Sequence, residues 1–325
     1  MATRDIVVVG ASAGGVEALT RLVRTLPSDL PAAMFVVLHT MPGGQGMLAS
    51  ILARHSALPI SAAIDGEPIH RGHIYVAPPD YHLLLGNGKV RLSVGPTHNR
   101  NRPAIDPLFQ SAAKAFGARV VGIVLTGFLD DGSEGLAAIQ NQGGYTIVQE
   151  PADALVPSMP RHALLRLRPD RTIPLTEIGS LLDTVCREQI EVKEVAMSAT
   201  ETTGGNGTPT TLTCPECHGV INQTREGKDV KFECQVGHSF TPGGLMEAQN
   251  DDLERALWAA VRSLEEGASL SRKMANMAQE KKRAHAMDLY RRNAAQREHH
   301  AETLRDLLLK IERHDREPEI YETSA

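Results

Sequence analysis

The chain has 325 residues, a formal net charge of −5 and four cysteines. That length allows about two domains, and the mild acidity gives no basic footprint for nucleic acid. Three of the cysteines are clustered, which suits a metal in a reducing compartment, expected to be the cytoplasm, rather than disulfides.

The first predicted strand is the apolar run Ile6–Val9, which meets Gly10-Ala11-Ser12-Ala13-Gly14. Val16, Leu19, Leu22, Val23 and Leu26 follow at helical spacing. Strand, G-x-S-x-G and helix is the layout that lifts a serine hydroxyl off a sheet and backs it with the free N–H groups of a helix start. The competing reading is a glycine turn of a nucleotide-binding fold. A second strand, Met34–Leu38, ends in His39-Thr40-Met41-Pro42, with histidine where a ribose-binding acid would stand. A third, Val120–Thr126, ends in Gly127-Phe128-Leu129-Asp130-Asp131-Gly132. In an open α/β sheet the carboxyl ends of the strands share one crevice, so serine, histidine and aspartate are expected together there. The expected fold is α/β, a doubly wound, mostly parallel sheet. His82 opens a hairpin turned by Gly86-Asn87-Gly88.

Weaker candidates lie between and after these strands. His73 and His82 read as structural. Arg102, in an Asn/Arg-rich loop, is a candidate contact to a substrate backbone or carboxylate, or a solvated cation. Met159 could line the crevice or simply pack. Cys186 sits on a predicted helix as a small apolar residue.

Residues 189–211 read as a flexible Ser/Thr/Gly linker after a first domain at 1–188. Beyond it, Cys214-Pro215-Glu216-Cys217 and Cys234-Gln235-Val236-Gly237-His238 give C-x2-C and C-x3-H pairs. Four such donors suit a closed, structural tetrahedral zinc in a ribbon-like module at 212–242; free thiols are the alternative, and His218 is a rival ligand. So small a module would depend on its metal, and the linker would decouple it from the first domain. Residues 243–325 read as helices. Leu253, Ala256, Leu257, Ala260, Val261 and Leu264 form one apolar face. Met287, Tyr290, Ala294, Ala301, Leu304, Leu308 and Ile311 form a seam broken by Arg297. An intrachain hairpin and self-association or partner binding both remain open. No apolar run nears the ~20 residues that membrane insertion requires, and Met1–Asp5 leads straight into a strand, with no signal peptide.

The chain resembles the protein-glutamate methylesterases of bacterial chemotaxis, the CheB family, over roughly residues 4–187. The matching stretches are Gly10–Gly15, His39–Pro42, Gly72–Pro79, His82, Arg102–Phe109, Val124–Gly127 with Asp131-Gly132, and Met159-Pro160. The resemblance implies that Ser12 is the nucleophile, His39 the general base and Asp131 its partner, with no catalytic cofactor. It implies hydrolysis of γ-glutamyl methyl esters on a methylated chemoreceptor or related signalling protein, and deamidation of glutamine as a further activity. Ala13 and Phe128 are then the expected backbone oxyanion donors, and Asp130 is expected to cap the following helix. Two departures stand out. Ala13 replaces a family threonine, and Phe128-Leu129 replaces Met-Gly, so the substrate does not transfer automatically. Family members commonly carry a preceding receiver domain. This chain starts at the catalytic part, so control is expected from the C-terminal half or a partner. The rival reading is a signalling adaptor that keeps the fold and binds without turnover.

Overall fold

A computed structural model describes residues 2–190, 207–226 and 229–316. It divides into two compact units, Met1–Leu245 and Met246–Ala325.

The first unit runs β1 (Ala2–Thr3), β2 (Ile6–Ala11), α1 (Gly15–Thr25), β3 (Ala33–Leu38), α2 (Leu48–Ala53), β4 (Ile60–Ala62) and β5 (Ile74–Val76). The hairpin β6 (His82–Gly86) and β7 (Lys89–Ser93) follows, then α3 (Ile105–Phe116), β8 (Val120–Val124), α4 (Ser133–Asn141) and β9 (Tyr145–Gln149). After α5 (Ser158–Arg166) and β10 (Arg171–Ile173), α6 (Leu175–Arg187) leads to β11 (Gln189–Ile190), which pairs with β1. Seven strands form one sheet in the order β10-β9-β8-β2-β3-β5-β4, and every neighbouring pair in it is parallel.

The apolar runs are continuous because both faces of this sheet are covered. Val7, Val9 and Ala11 of β2 point into a core shared with α1, α2 and α6. Ile6 and Val8 point into the other, shared with α3, α4, α5 and the hairpin. The hairpin turns at Asn87 and Gly88, both at positive φ, as a two-residue primed turn demands. Strand β2 lies between β3 and β8. The chain builds one side of the sheet from β2 and later returns to build the other from β8, so the topological switch falls at β2.

Most of the expected linker, 191–206, lies outside the described residues. Its flanks are ordered elements: β11 before it, and β12 (Thr208–Thr213) after it. With β13 (Val220–Glu226), β14 (Asp229–Cys234) and β15 (Ser239–Phe240), β12 forms a four-stranded antiparallel sheet. Two long helices follow, α7 (Pro242–Glu280) and α8 (Ala284–Arg316).

In the second unit α7 and α8 pair as an intrachain hairpin. Val261, Ala268, Ala275 and Ala278 of α7 and Ala294, Ala301 and Leu308 of α8 are buried. Arg272 bonds Glu298 at 2.9 Å, and Arg305 pairs with Glu265. The Arg297 guanidinium, which interrupts the seam, lies over Gly267, where any Cβ would collide with it. Of the apolar face expected on α7, Leu253 and Ala256 are exposed, and the side chain of Ile311 lies outside the described residues. Among the described residues no helix is long and apolar enough to cross a membrane.

Candidate active site

Ser12 stands just past β2, in a turn that only small residues permit. Gly14 takes φ 75 as the N-cap of α1. A Cβ on Gly127 would collide with the Met159 side chain and come within 2.8 Å of Ser12 Cβ. The turn is tied to the end of β8, since Ser12 N–H donates to Thr126 O at 2.9 Å and Thr126 Oγ1 donates to Ala13 O at 2.9 Å.

His39 and Asp131 arrive from the ends of the two strands beside β2. His39 Nδ1 lies 3.1 Å from Ser12 Oγ, and His39 Nε2 lies 2.6 Å from Asp131 Oδ2. With its Nε2–H donated to the carboxylate, the ring keeps the Nδ1 lone pair for the serine proton. Asp131 also accepts from Ile105 N at 2.8 Å and Asp106 N at 3.1 Å. These are free N–H groups at the start of α3, whose N-cap Ala104 offers no side-chain bond. Burial works against this carboxylate. The His39 bond and charge, His98 and the Ile105 N–H together outweigh it and hold Asp131 well below the usual carboxylate range. The group is therefore a fixed anion that orients the imidazole.

Among the described residues no hydrogen bond is donated by the N–H groups of Ala13 or Phe128. Phe128 is 60 % exposed, and Leu129, where the family pattern has glycine, takes φ 64. Thr40, next in the chain to His39, lines a cavity of about 360 Å³ with Met47, Pro78 and Pro79.

Other candidates take structural places. Met159 is wholly buried and packs against the Gly127 backbone. Arg102 spends its Nη1 on Val94 O at 3.1 Å and Gly95 O at 2.7 Å. His82 donates through Nε2 to Pro96 O at 2.9 Å and accepts Ala104 N–H at Nδ1 at 3.3 Å. Burial lowers its pKa. Asp130 does not cap α4: the N-cap is Gly132, without a side-chain bond. The capping carboxylate is Asp106, whose Oδ1 accepts Gly135 N–H at 2.6 Å. Asp130 Oδ1 instead accepts the Thr241 hydroxyl at 3.0 Å, which ties β15 and its neighbours to the catalytic part rather than decoupling them.

Sequence reasoning passed over His98 and Asp106. His98 is 7 % exposed and its Nδ1 stands 4.0 Å from Asp131 Oδ1; burial pushes its pKa down to about 4. Asp106 is wholly buried, and burial with the Asp131 and Glu134 charges raises its pKa well above the carboxylate range. Asp106 lies in the matching stretch Arg102–Phe109, but nothing local gives either residue a role, because their partners lie on other elements.

Cys214, Cys217, Cys234 and His238 come together with their donor atoms within 4.8 Å of one another. Cys214 Sγ and Cys234 Sγ each lie 3.5 Å from His238 Nδ1, and Cys217 Sγ lies 3.6 Å from Cys234 Sγ. Tight backbone turns set the pairs: His218 N–H donates to Cys214 O, and Gly237 N–H, at φ 99, to Cys234 O. His218 is not one of the four. Cys186 is buried among apolar side chains, and burial pushes its thiol up to about 12.

The family model described as CheB methylesterase matches residues 7–182. A protein-glutamate methylesterase/protein-glutamine glutaminase 2 of Anaeromyxobacter dehalogenans is 42 % identical over 183 residues, 56 % of this chain and 54 % of its own. A protein of the same name from Rhizobium johnstonii is 38 % identical over 181 residues, covering 54 % and 49 %. The chain thus spans about half the length of these relatives. A crystal structure of the Thermotoga maritima CheB methylesterase catalytic domain matches with a TM-score of 0.54 and 33 % identity, covering 56 % of this chain and 98 % of that one.

Proposed function

Since the chain belongs to the CheB methylesterase family, we propose that its α/β part is a serine hydrolase that removes methyl esters from glutamate side chains of a chemoreceptor or related signalling protein. The observation that carries this reading is the hydrogen-bonded chain Ser12–His39–Asp131 across three adjacent strand ends. Ser12 Oγ attacks the ester carbonyl while His39 Nδ1 takes its proton. Asp131 stabilises the imidazolium and keeps its own charge. The Ala13 and Phe128 N–H groups receive the oxyanion, a donor of this kind being worth about 3–4 kcal/mol. His39 then protonates the leaving methoxide, giving methanol and an acyl-enzyme. Water, deprotonated by His39, releases the glutamate and restores Ser12. The same steps with a primary amide release ammonia, in keeping with the glutaminase in the relatives' names. An adaptor that only binds has no need of a serine, an imidazole and a buried carboxylate in hydrogen-bonded series.

The four donors of the cysteine–histidine cluster fit a tetrahedral structural zinc, with no open position for chemistry. The α7–α8 hairpin is the proposed surface for a partner or a second copy, and the cytoplasm the proposed compartment.

The test is methanol release from methylated receptor peptides. Ser12→Ala should lower turnover at least about 10⁴-fold with an unchanged melting temperature, because alanine fits the turn. Undiminished methanol release in that variant removes the mechanism. Elemental analysis of the full chain, purified without oxygen, should find about one zinc per chain.

A further inference from the structure

The segment that follows His238 is built into the wall of the active site. Ser239 N–H donates to Thr97 O at 3.3 Å, and Asn99 N–H donates to Ser239 O at 2.8 Å. Thr241 N–H donates to Asn99 Oδ1 at 2.9 Å, and the Thr241 hydroxyl to Asp130 Oδ1 at 3.0 Å. That hydroxyl also accepts Gly244 N–H at 3.0 Å, so Thr241 caps α7 and its rotamer is fixed. Phe240 is wholly buried, with Ser239 and Thr241 at 7 % and 4 % exposure. The fit is close on both sides. A Cβ on Gly237 would come within 2.8 Å of Pro96, and one on Gly244 would strike Asn99.

The other end of the same loop reaches the cluster by a second route. Thr97 Oγ1 donates to Glu216 Oε1 at 2.7 Å, and Glu216 Oε2 faces His238 Nε2 at 3.6 Å. A histidine that binds metal through one ring nitrogen commonly presents the other to a carboxylate, which fixes its orientation. Here Nδ1 faces the sulfurs and Nε2 the carboxylate.

What these contacts hold is a loop under backbone strain. Asn99 and Arg100 both take positive φ in a turn closed by His98 and Asn101, whose N–H groups bond each other's carbonyls. The turn presents His98 to Asp131, the acid beside His39. Asp130, the neighbour of that acid, is held by Thr241.

We infer that a zinc ion on Cys214, Cys217, Cys234 and His238 is a positioning centre for the active site: it fixes His238, and through Glu216–Thr97 and Ser239–Thr241 it holds the His98 loop and the Asp130–Asp131 turn in the geometry that orients His39. The inference rests on the proposed zinc and the proposed serine chemistry. Glu216, Asn99 and Thr241 act as positioning residues. None of them touches the reacting atoms. Metal occupancy thereby tunes the reactivity of Ser12.

Two readouts on the full chain test it, neither requiring the natural substrate. One is amide hydrogen exchange in 96–101 and 129–132, with zinc bound and after chelation. The other is the rate, across pH, at which a fluorophosphonate labels Ser12. Chelation should raise exchange in 96–101 about tenfold or more and slow labelling about tenfold, the scale at which outer-shell partners act. Thr241→Val with zinc still bound should slow labelling similarly and shift its pH profile. Thr241→Ser should restore both to within about twofold, because its hydroxyl can still reach Asp130. Exchange and labelling that stay within about twofold once zinc has left overturn the inference. So does a Thr241→Val profile that matches the parent. A full chain that binds no zinc overturns both the metal reading and this inference, while labelling of Ser12 still stands for the esterase. If Ser12 never reacts in any form, the esterase reading fails, and hydrogen exchange alone decides whether the metal holds the loop.

Discussion

Strands β2 and β12 are equal in length and opposite in character. β2 buries all six of its residues; β12 is described as exposed or half-buried throughout. The parallel sheet rests on continuous apolar burial, each wholly buried Val or Ile contributing about 1.5–3 kcal/mol. The proposed catalytic side chains therefore sit on a frame whose stability comes chiefly from that burial. The antiparallel sheet has little such area, with Ile221 and Phe240 as its wholly buried apolar members, and the donor atoms of Cys234 and of Cys214, Cys217 and His238 between its strands lie within 4.8 Å of one another. In the first region the proposed catalytic residues are added to an apolar core; in the second the proposed zinc stands in for one.

The widest separation between the two regions should come from a single thiol. Cys217→Ser should abolish zinc binding, whose apparent free energy in small zinc modules is about 10–16 kcal/mol. β12–β15 should lose protection from hydrogen exchange, while β2, β3 and β8 stay protected. A parallel sheet that loses protection together with β12–β15 would show that the two fold as one cooperative body.

Next in size is the acid of the proposed triad. Asp131→Asn should lower kcat about 10⁴-fold by permitting the wrong imidazole tautomer. It should cost only about 1–3 kcal/mol of stability, since a buried amide replaces an anion that accepts two helix N–H groups. Asp130→Asn, whose partner is Thr241 rather than His39, should cost no more than about tenfold. The reverse order in steady-state assays would transfer the role of histidine partner to Asp130.

A smaller effect follows from His98. An exposed imidazole takes up its proton near pH 6.5, whereas the buried ring waits until about 4. The folded pKa is depressed, so between these values the unfolded chain holds the extra proton and stability falls as pH falls. The ring faces Asp131, Lys231, His82 and His39, with Asp106 and Glu134 nearby. The loss should approach about 1.4 kcal/mol per pH unit and reach roughly 3 kcal/mol by pH 4. Urea titrations from pH 7 to 4 should show that part of the slope vanish in His98→Gln. Parallel curves for parent and variant would mean His98 is not held neutral.

The same contrast explains what could be read in advance. Ile6–Val9, Met34–Leu38 and Val120–Thr126 are long apolar runs, and a parallel sheet buried on both faces leaves just that trace. Ser12, His39 and Asp131 were legible because the fold puts strand ends in one crevice. The convergence of the two Cys/His pairs was legible because short spacings bring such side chains together. Helix capping was not. Asp130 occupies the local position for capping α4, yet Asp106 caps it from α3, and Asp131 caps α3 in return. Such exchanged caps join residues about 25 apart in sequence, and no local pattern records them. Nor could sequence foresee that Thr241 reaches Asp130, since 189–211 read as a tether that frees the module.

The smallest expected effect tests whether the catalytic frame is indifferent even to its own strained backbone. Leu129 takes φ 64, a conformation that costs a side-chain-bearing residue about 1–2 kcal/mol. Glycine avoids that cost but gives up about 0.5–1 kcal/mol of chain entropy, and the half-buried leucine side chain forfeits some packing. The terms nearly cancel, so Leu129→Gly should change stability by no more than about 1 kcal/mol, or about 2–4 °C in melting temperature. The Leu129 N–H keeps its bond to Ser158 Oγ, 3.1 Å long, so the neighbouring Phe128 N–H stays in place and kcat should hold within about threefold. The removed side chain opens space beside the oxyanion position, and KM for a receptor peptide should fall. Calorimetry with peptide kinetics separates the cases. A loss above about 2 kcal/mol would show that Leu129 packing, not its backbone, is what this turn requires. A collapse of kcat at unchanged stability would show that its stiffness is what aims the Phe128 N–H.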